Sequence, residues 1–183
     1  MKYKSIIISG PPVSGKSTLA EKLAKIYNWP VYSIGQLWRD EWTKLYPNKE
    51  ISFEDYWKKI TLKNNLSMDK RFKNIIEKGE FIGNMRYGVQ YKDPSVLLVL
   101  VTANIDLRAK RGLDVDVYKG KSFEEIKKIL IGRENNEAKV GKDMYKYDYR
   151  DPKHYNLILD SSKLTIEEEI SIITNLLPPS QKH

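Results

Sequence analysis

The chain has 183 residues, 40% of them hydrophobic, which suits one domain with a real buried core. It has no cysteine and only two histidines, His154 and His183, so disulfides, thiolate metal sites and histidine-rich metal sites are excluded, and a cytoplasmic location is expected. Its 32 basic and 24 acidic residues leave a net charge of +8, which suits anionic ligands such as nucleotides and permits nucleic acid without favouring it; no apolar run reaches the roughly 18 residues that cross a membrane.

Ser5 to Ser9, a β-branched run too short for a helix, reads as a buried parallel strand. A glycine-bounded turn follows at Gly10 to Gly15. Leu19, Leu23, Ile26 and Tyr27 then recur at helical spacing, up to a stop at Asn28 before Pro30. Val31 to Ile34 reads as a second strand. Gly35 opens a helix with Leu37, Trp38, Trp42, Leu45 and Tyr46 on one side, ending at Pro47. Ser52 and Asp55 have the spacing of a helix cap and its capping-box partner. Met68 to Lys78 reads as a helix stopped by Gly79, Phe81 to Gly83 as a weak strand, and Val96 to Val101 as the central strand. Ile105 to Arg111 is helical. Gly112 to Gly120 is a loop bounded by glycines, placed where a mobile element can hinge. Ser122 to Glu125 is a capping box opening a helix to about Ala138. Tyr155 to Leu159 is the last strand, and Thr165 to Glu168 caps a final helix to Leu177, stopped by Pro178-Pro179. Strands alternating with helices predict βαβ units and a parallel sheet.

The decisive segment is Gly10-Pro11-Pro12-Val13-Ser14-Gly15-Lys16-Ser17-Thr18, which fits G-x-x-x-x-G-K-[ST] at every position. A hydrophobic strand precedes it and an amphipathic helix follows, as a phosphate-binding loop requires. Its two glycines permit tight backbone curvature, and its N–H groups converge at a helix N-terminus, where the dipole favours an anion. Lys16 is placed to reach β- and γ-phosphates, the Ser17 hydroxyl to bind Mg²⁺, and Thr18 to touch the α-phosphate. The loop alone gives nucleotide binding, not a reaction. No Asn-Lys-x-Asp segment for guanine recognition is present, which counts against a GTPase.

Gly10 to Ala20 resembles the nucleoside monophosphate kinases. Tyr32 to Arg39, reading Tyr-Ser-Ile-Gly-Gln-Leu-Trp-Arg, resembles the Ser-x-Gly-x-x-x-Arg stretch of cytidylate kinases of the short archaeal type. Asn104 to Arg111, Gly120 to Glu125, Arg133 to Lys139 and Tyr155 to Lys163 are similar to later segments of that family, in the same order. The resemblance implies a three-layer α/β/α fold with a five-stranded parallel sheet. It also implies one domain over 1–183, an acceptor-binding helical insert near 36–70 and a lid near 112–150. The implied activity is phosphoryl transfer from ATP with Mg²⁺ to a nucleoside monophosphate, CMP or dCMP foremost, by a monomer. Ser33, Gly35 and Arg39 would then bind the acceptor, and Lys16, Arg108, Arg111 and Arg133 would stabilise the transferring group.

The chain departs from that family in places. Where the family carries Gly-Arg after the third strand, this chain reads Gly83-Asn84-Met85-Arg86-Tyr87-Gly88, and Arg86 becomes the candidate. Asp69, Arg71 and Lys73 are the candidates on the preceding helix. Asp40, Glu41 and Glu80 are secondary candidates for assisting Mg²⁺ through water. These departures leave open a different acceptor, such as a nucleoside or an RNA end, or an ATP-binding factor without transfer.

Overall fold

The computed structural model describes residues 3–52, 55–56, 59–77 and 79–177. Five strands form one parallel sheet: β1 (Ser5–Ser9), β2 (Val31–Tyr32), β3 (Ile82–Asn84), β4 (Val96–Thr102) and β5 (Leu157–Asp160), in the spatial order β2-β3-β1-β4-β5. Ile7 pairs with Gly83 on one side and Leu98 on the other. β1 thus lies at the centre, where the strand order switches direction. In open parallel sheets that is where ligands bind, beyond the carboxyl ends of the strands.

Among the described residues, these helices cover the sheet or extend from it: α1 (Lys16–Tyr27), α2 (Ile34–Leu45), α3 (Leu62–Ile76), α4 (Ile105–Gly112), α5 (Phe123–Tyr145) and α6 (Ile166–Thr174). The period of two along β1 divides the core. Ile6 and Ile8 face Leu19, Leu23, Val99 and Ile173, from α1, β4 and α6. Ile7 faces Phe72, Phe81, Leu98 and Tyr91 on the other side. Both layers are fully buried, which is why β1 reads as a continuous apolar run. Each such side chain contributes about 2 kcal/mol by leaving water. Trp38, Tyr56 and Met68 form a separate small core with Leu37 and Trp42.

Several boundaries differ from the sequence reading. Ile26, expected on the apolar face of α1, is 40% exposed, and Leu45 of α2 is 57% exposed. β2 is two residues long, and α2 starts at Ile34 rather than Gly35, because the Ser33 hydroxyl accepts the Gln36 N–H as an N-cap. α3 starts six residues before Met68: Thr61 and Asn64 make a reciprocal capping box with asparagine where glutamate is usual. The expected end of that helix at Lys78 lies outside the described residues, as do Phe53 and Glu54 beside the Ser52 cap; Ser52 Oγ does accept the Asp55 N–H, at 3.0 Å. β5 runs Leu157–Asp160 rather than from Tyr155, and α6 ends at Thr174 rather than Leu177. Pro178 and Pro179 lie outside the described residues.

The largest difference is α5. It continues past Ala138 to Tyr145, 23 residues in all, and stops where Lys146 turns to φ 63°. Gly141 suits this docked helix: a Cβ there would lie 3.0 Å from the Tyr147 carbonyl and 3.2 Å from the Tyr87 ring. Gly112 to Gly120 is less open than its glycines suggest. Gly112 closes α4, Asp116–Tyr118 forms a 3-10 turn, and Tyr118 is buried against Ala109, Ile126 and Leu130.

Candidate functional site

β1 delivers the loop at the carboxyl edge of the sheet. A Cβ on Gly10 would stand 2.2 Å from the Val101 carbonyl, so only glycine lets the chain pass β4. Val13 sits at φ +60°, a left-handed conformation that costs a β-branched residue about 1–2 kcal/mol. The carbonyls on either side of it are held from behind. Pro12 O accepts from Arg108 Nη1 at 3.4 Å, and Ser14 O accepts from Ser161 Oγ at 2.9 Å and Arg111 Nη1 at 3.4 Å. With those carbonyls turned back toward cations, the loop's amides are left for an anion.

Lys16 Nζ donates to the Pro11 carbonyl at 3.1 Å. Burial pushes its ammonium down to about 7; Arg86, Arg133 and Arg108 add to the fall and Glu137 opposes it. Lys16 is itself only partly exposed, with Nζ turned inward to the Pro11 carbonyl. An anion within reach favours the charged form.

A second tier stands above the loop. Asn104 caps α4 by accepting the Leu107 N–H, and α4 packs along α5. This buries Arg108, whose Nε donates to the Ala103 carbonyl at 3.1 Å and whose Nη2 donates to Glu134 Oε2 at 2.6 Å. Glu134 and Glu137 are three apart on α5 and share a face. Glu137 Oε1 accepts from Arg133 Nε at 2.8 Å, and its Oε2 lies 2.8 Å from Arg86 Nε. Tyr87 Oη donates to the Glu137 backbone carbonyl at 2.8 Å, tying the helix to the segment after β3.

The fold therefore gathers Lys16, Arg86, Arg108 and Arg133 around one locus. Arg111 lies behind the loop, donating to Ser161 Oγ at 2.9 Å and to the Ser161 carbonyl at 3.1 Å. Ser33, Gly35 and Arg39 lie on the first turns of α2, with Arg39 exposed. Arg71 on α3 is exposed and 3.9 Å from Glu41. Asp40 accepts from Gln36 within α2.

Sequence reasoning missed Asn84, Glu134 and Glu137 as members of the site, and the contacts of Asp69. Asn84 Nδ2 donates to Ser17 Oγ at 3.0 Å. The 134/137 spacing beside Arg133 was a readable signal; the position of Asn84 at the end of β3 was not, without the strand order. Asp69 accepts from Tyr91 Oη at 2.8 Å, Gln90 Nε2 at 3.1 Å and Tyr145 Oη at 3.1 Å, so it joins α3 to the end of α5. Among the described residues no group of three or more His, Cys, Asp or Glu is placed to hold a metal. The exposed Ser17 hydroxyl with the Asn84 amide beside it still fits Mg²⁺, which takes few protein oxygens and completes its shell with phosphates and water. A cleft of about 550 Å³ lies elsewhere, beside Lys142, Lys146, Arg150 and His154. Its charges are matched locally: Asp148 serves Arg150 and Lys142, and Asp151 serves Lys153.

The model of the cytidylate kinase-like family matches residues 5–163. The cytidylate kinase of Methanopyrus kandleri is 27% identical over 187 residues, covering 95% of this chain and 93% of the relative. That of Sulfurisphaera tokodaii is 30% identical over 175 residues, covering 92% of each. Among solved structures, an uncharacterized protein from Eubacterium ventriosum superposes with a TM-score of 0.69 at 18% identity, over 94% of this chain and 96% of that one. A shikimate kinase from Bacteroides thetaiotaomicron gives 0.59 at 14% identity, over 96% and 98%. At these identities the structural likeness shows the fold.

Proposed function

The chain belongs to the cytidylate kinase-like family, and from that premise we propose that it transfers the γ-phosphoryl group of ATP to a nucleoside monophosphate, with CMP or dCMP as acceptor. The observation that carries the reading is the set of arginines beside the phosphate loop: Arg108 on the Pro12 carbonyl next to the Lys16 contact at Pro11, and Arg86 and Arg133 joined through Glu137 on the same helix as the Arg108 partner Glu134. Phosphoryl transfer asks for positioning and charge neutralisation more than for covalent help, and arginines beside a loop lysine supply both.

In the reaction an oxygen of the acceptor's phosphate attacks the γ-phosphorus in line. The bond to the β,γ-bridging oxygen breaks, and ADP leaves with that electron pair. Lys16 bridges the β- and γ-phosphates. Arg86, after β3, and Arg133, on α5, neutralise the charge of the moving group. Arg108 and Arg111 hold the loop from behind, at the Pro12 and Ser14 carbonyls. Ser17 would hold Mg²⁺, with Asn84 orienting its hydroxyl; the ion supplies further neutralisation of the β- and γ-oxygens. Ser33, Gly35, Arg39 and Arg71, in and beside the insert at 36–70, bind the acceptor. Residues 112–150 act as the lid that keeps water from the γ-phosphate. A cytoplasmic monomer belongs to this reading, in keeping with a chain free of cysteine.

The test is turnover. With ATP and Mg²⁺, CMP or dCMP should yield ADP and the diphosphate, faster than UMP, AMP or GMP. Lys16→Ala should lower the rate by roughly a hundredfold or more. ATP binding without turnover on any monophosphate would overturn the reading and direct the search to nucleosides and RNA ends.

A further inference from the structure

Glu134 and Glu137 of α5 hold their arginines differently. Arg108 is fixed at three points: the Ala103 carbonyl, the Pro12 carbonyl and Glu134, the last through a hydrogen bond of 2.6 Å. Arg86 and Glu137 lie 2.8 Å apart, with side chains 20% and 13% exposed. Yet Arg86 Nε and Glu137 Oε2 are buried atoms without an aligned hydrogen bond. The pair is held by charge, and directional bonding does not lock it. Glu137 also accepts from Arg133 through its other oxygen, so one carboxylate serves two guanidiniums. Both arginines, and Glu137 itself, act electrostatically on Lys16. An anion whose two oxygens face two arginines, near the loop lysine, offers those guanidiniums the same kind of acceptor as two oxygens of a phosphate group, with less charge.

We propose that Glu137 is a positioning residue that stands in for a phosphate: its carboxylate holds Arg86 and Arg133 beside Lys16, and a triphosphate in the loop takes the two guanidiniums from it. The inference rests on the loop being the triphosphate site and deepens that part of the proposed function. It does not depend on the acceptor. The resident carboxylate keeps three cations near one another in the absence of nucleotide, where bare charges would repel. It also competes with the nucleotide, so Glu137 sets affinity against preorganisation.

The deciding experiment is calorimetric titration of the protein with inorganic tripolyphosphate and with ATP, together with a steady-state split of KM and kcat. Glu137→Gln keeps shape and removes charge. It should bind tripolyphosphate roughly tenfold more tightly, and lower the KM for ATP without raising kcat. Glu137→Asp keeps the charge but, one methylene shorter, cannot span both arginines; its affinity should fall between the native and Gln values. Glu134→Gln is the contrast: it disturbs a fixed anchor and should not tighten binding. A folded Glu137→Gln protein with native or weaker affinity overturns the proposal. If that variant shows no cooperative melting, Glu137→Asp decides by the same comparison, and native or weaker affinity again overturns it. A native protein that binds triphosphate but phosphorylates no monophosphate defeats the proposed reaction and leaves the Glu137 comparison fully readable. A native protein that binds no tripolyphosphate overturns the loop premise and the inference together.

Discussion

In the proposed reaction the loop at 10–18 and the charged tier on α5 would serve the same phosphates by opposite means. The loop is contiguous and made largely of backbone, set between a fully buried strand and a helix whose inner face is buried. The tier is assembled from side chains at 86, 108, 133, 134 and 137, which meet only after β3 and α4 have been laid against α5. Backbone curvature survives most side-chain changes; an ion-pair tier has no such reserve. The donor end of the site should thus tolerate changes to its own side chains, Lys16 apart, while its outside braces at Arg108 and Ser161 stand, whereas the tier should be sensitive at nearly every member.

The sharpest way to break that contrast is Arg108→Met. The side chain is 6% exposed and its partner Glu134 20%, so removing the cation leaves a shielded carboxylate to the more distant Arg150, at 3.9 Å, and releases the Pro12 carbonyl. We expect a loss of about 3 kcal/mol in urea unfolding. The exposed pair Lys22–Glu167, at 3.0 Å, should cost under about 1 kcal/mol when broken. Equal losses would erase the distinction.

The second test concerns pH. With its ammonium lowered to about 7 by burial, Lys16 must take up a proton to meet a phosphate above that pH. ATP affinity should therefore fall by up to about tenfold per pH unit above 7, and Lys16→Ala should flatten the profile, as read by titration calorimetry. The sign reverses for folding. The unfolded chain keeps this proton into the ordinary lysine range while the folded one gives it up near 7, so this group's contribution to stability rises between about 7 and 10.

The smallest effects are the cleanest. Two glycines lie in α5. Gly132→Ala meets nothing within 4 Å and should stabilise by up to about 1 kcal/mol through helix propensity. Gly141→Ala would press on the Tyr147 carbonyl and the Tyr87 ring. There, overpacking of about 1–3 kcal/mol exceeds the propensity gain, leaving a net loss of roughly 1 kcal/mol. Thermal unfolding of the two variants should shift in opposite directions.

The same contrast explains what could be read in the sequence. β1, the loop and the stop of α1 at Asn28 were legible because hydrophobic run, glycines and cap lie within one stretch. The boxes at Ser122 and Thr165 were legible for the same reason. The length of α5 was not. Gly141 argues locally against carrying the helix past Ala138, and the buried packing of Ala138 and Gly141 overrides it. The start of α3 was hidden by an asparagine in the place of glutamate. The arginines could be named as candidates singly, but their division between Glu134 and Glu137, and the pairing of Asn84 with Ser17, depend on strand order and helix docking that no local pattern encodes.

The strained turn at Val13 bears on modularity. Its flanking carbonyls are anchored by Arg108, 96 residues away from Pro12, and by Ser161, 147 residues away from Ser14. The nine-residue motif is therefore not a portable part. Grafted alone onto another strand–helix joint, it would bring its glycines and its lysine but leave behind the braces that keep Val13 in place, and the transplant would relax out of shape.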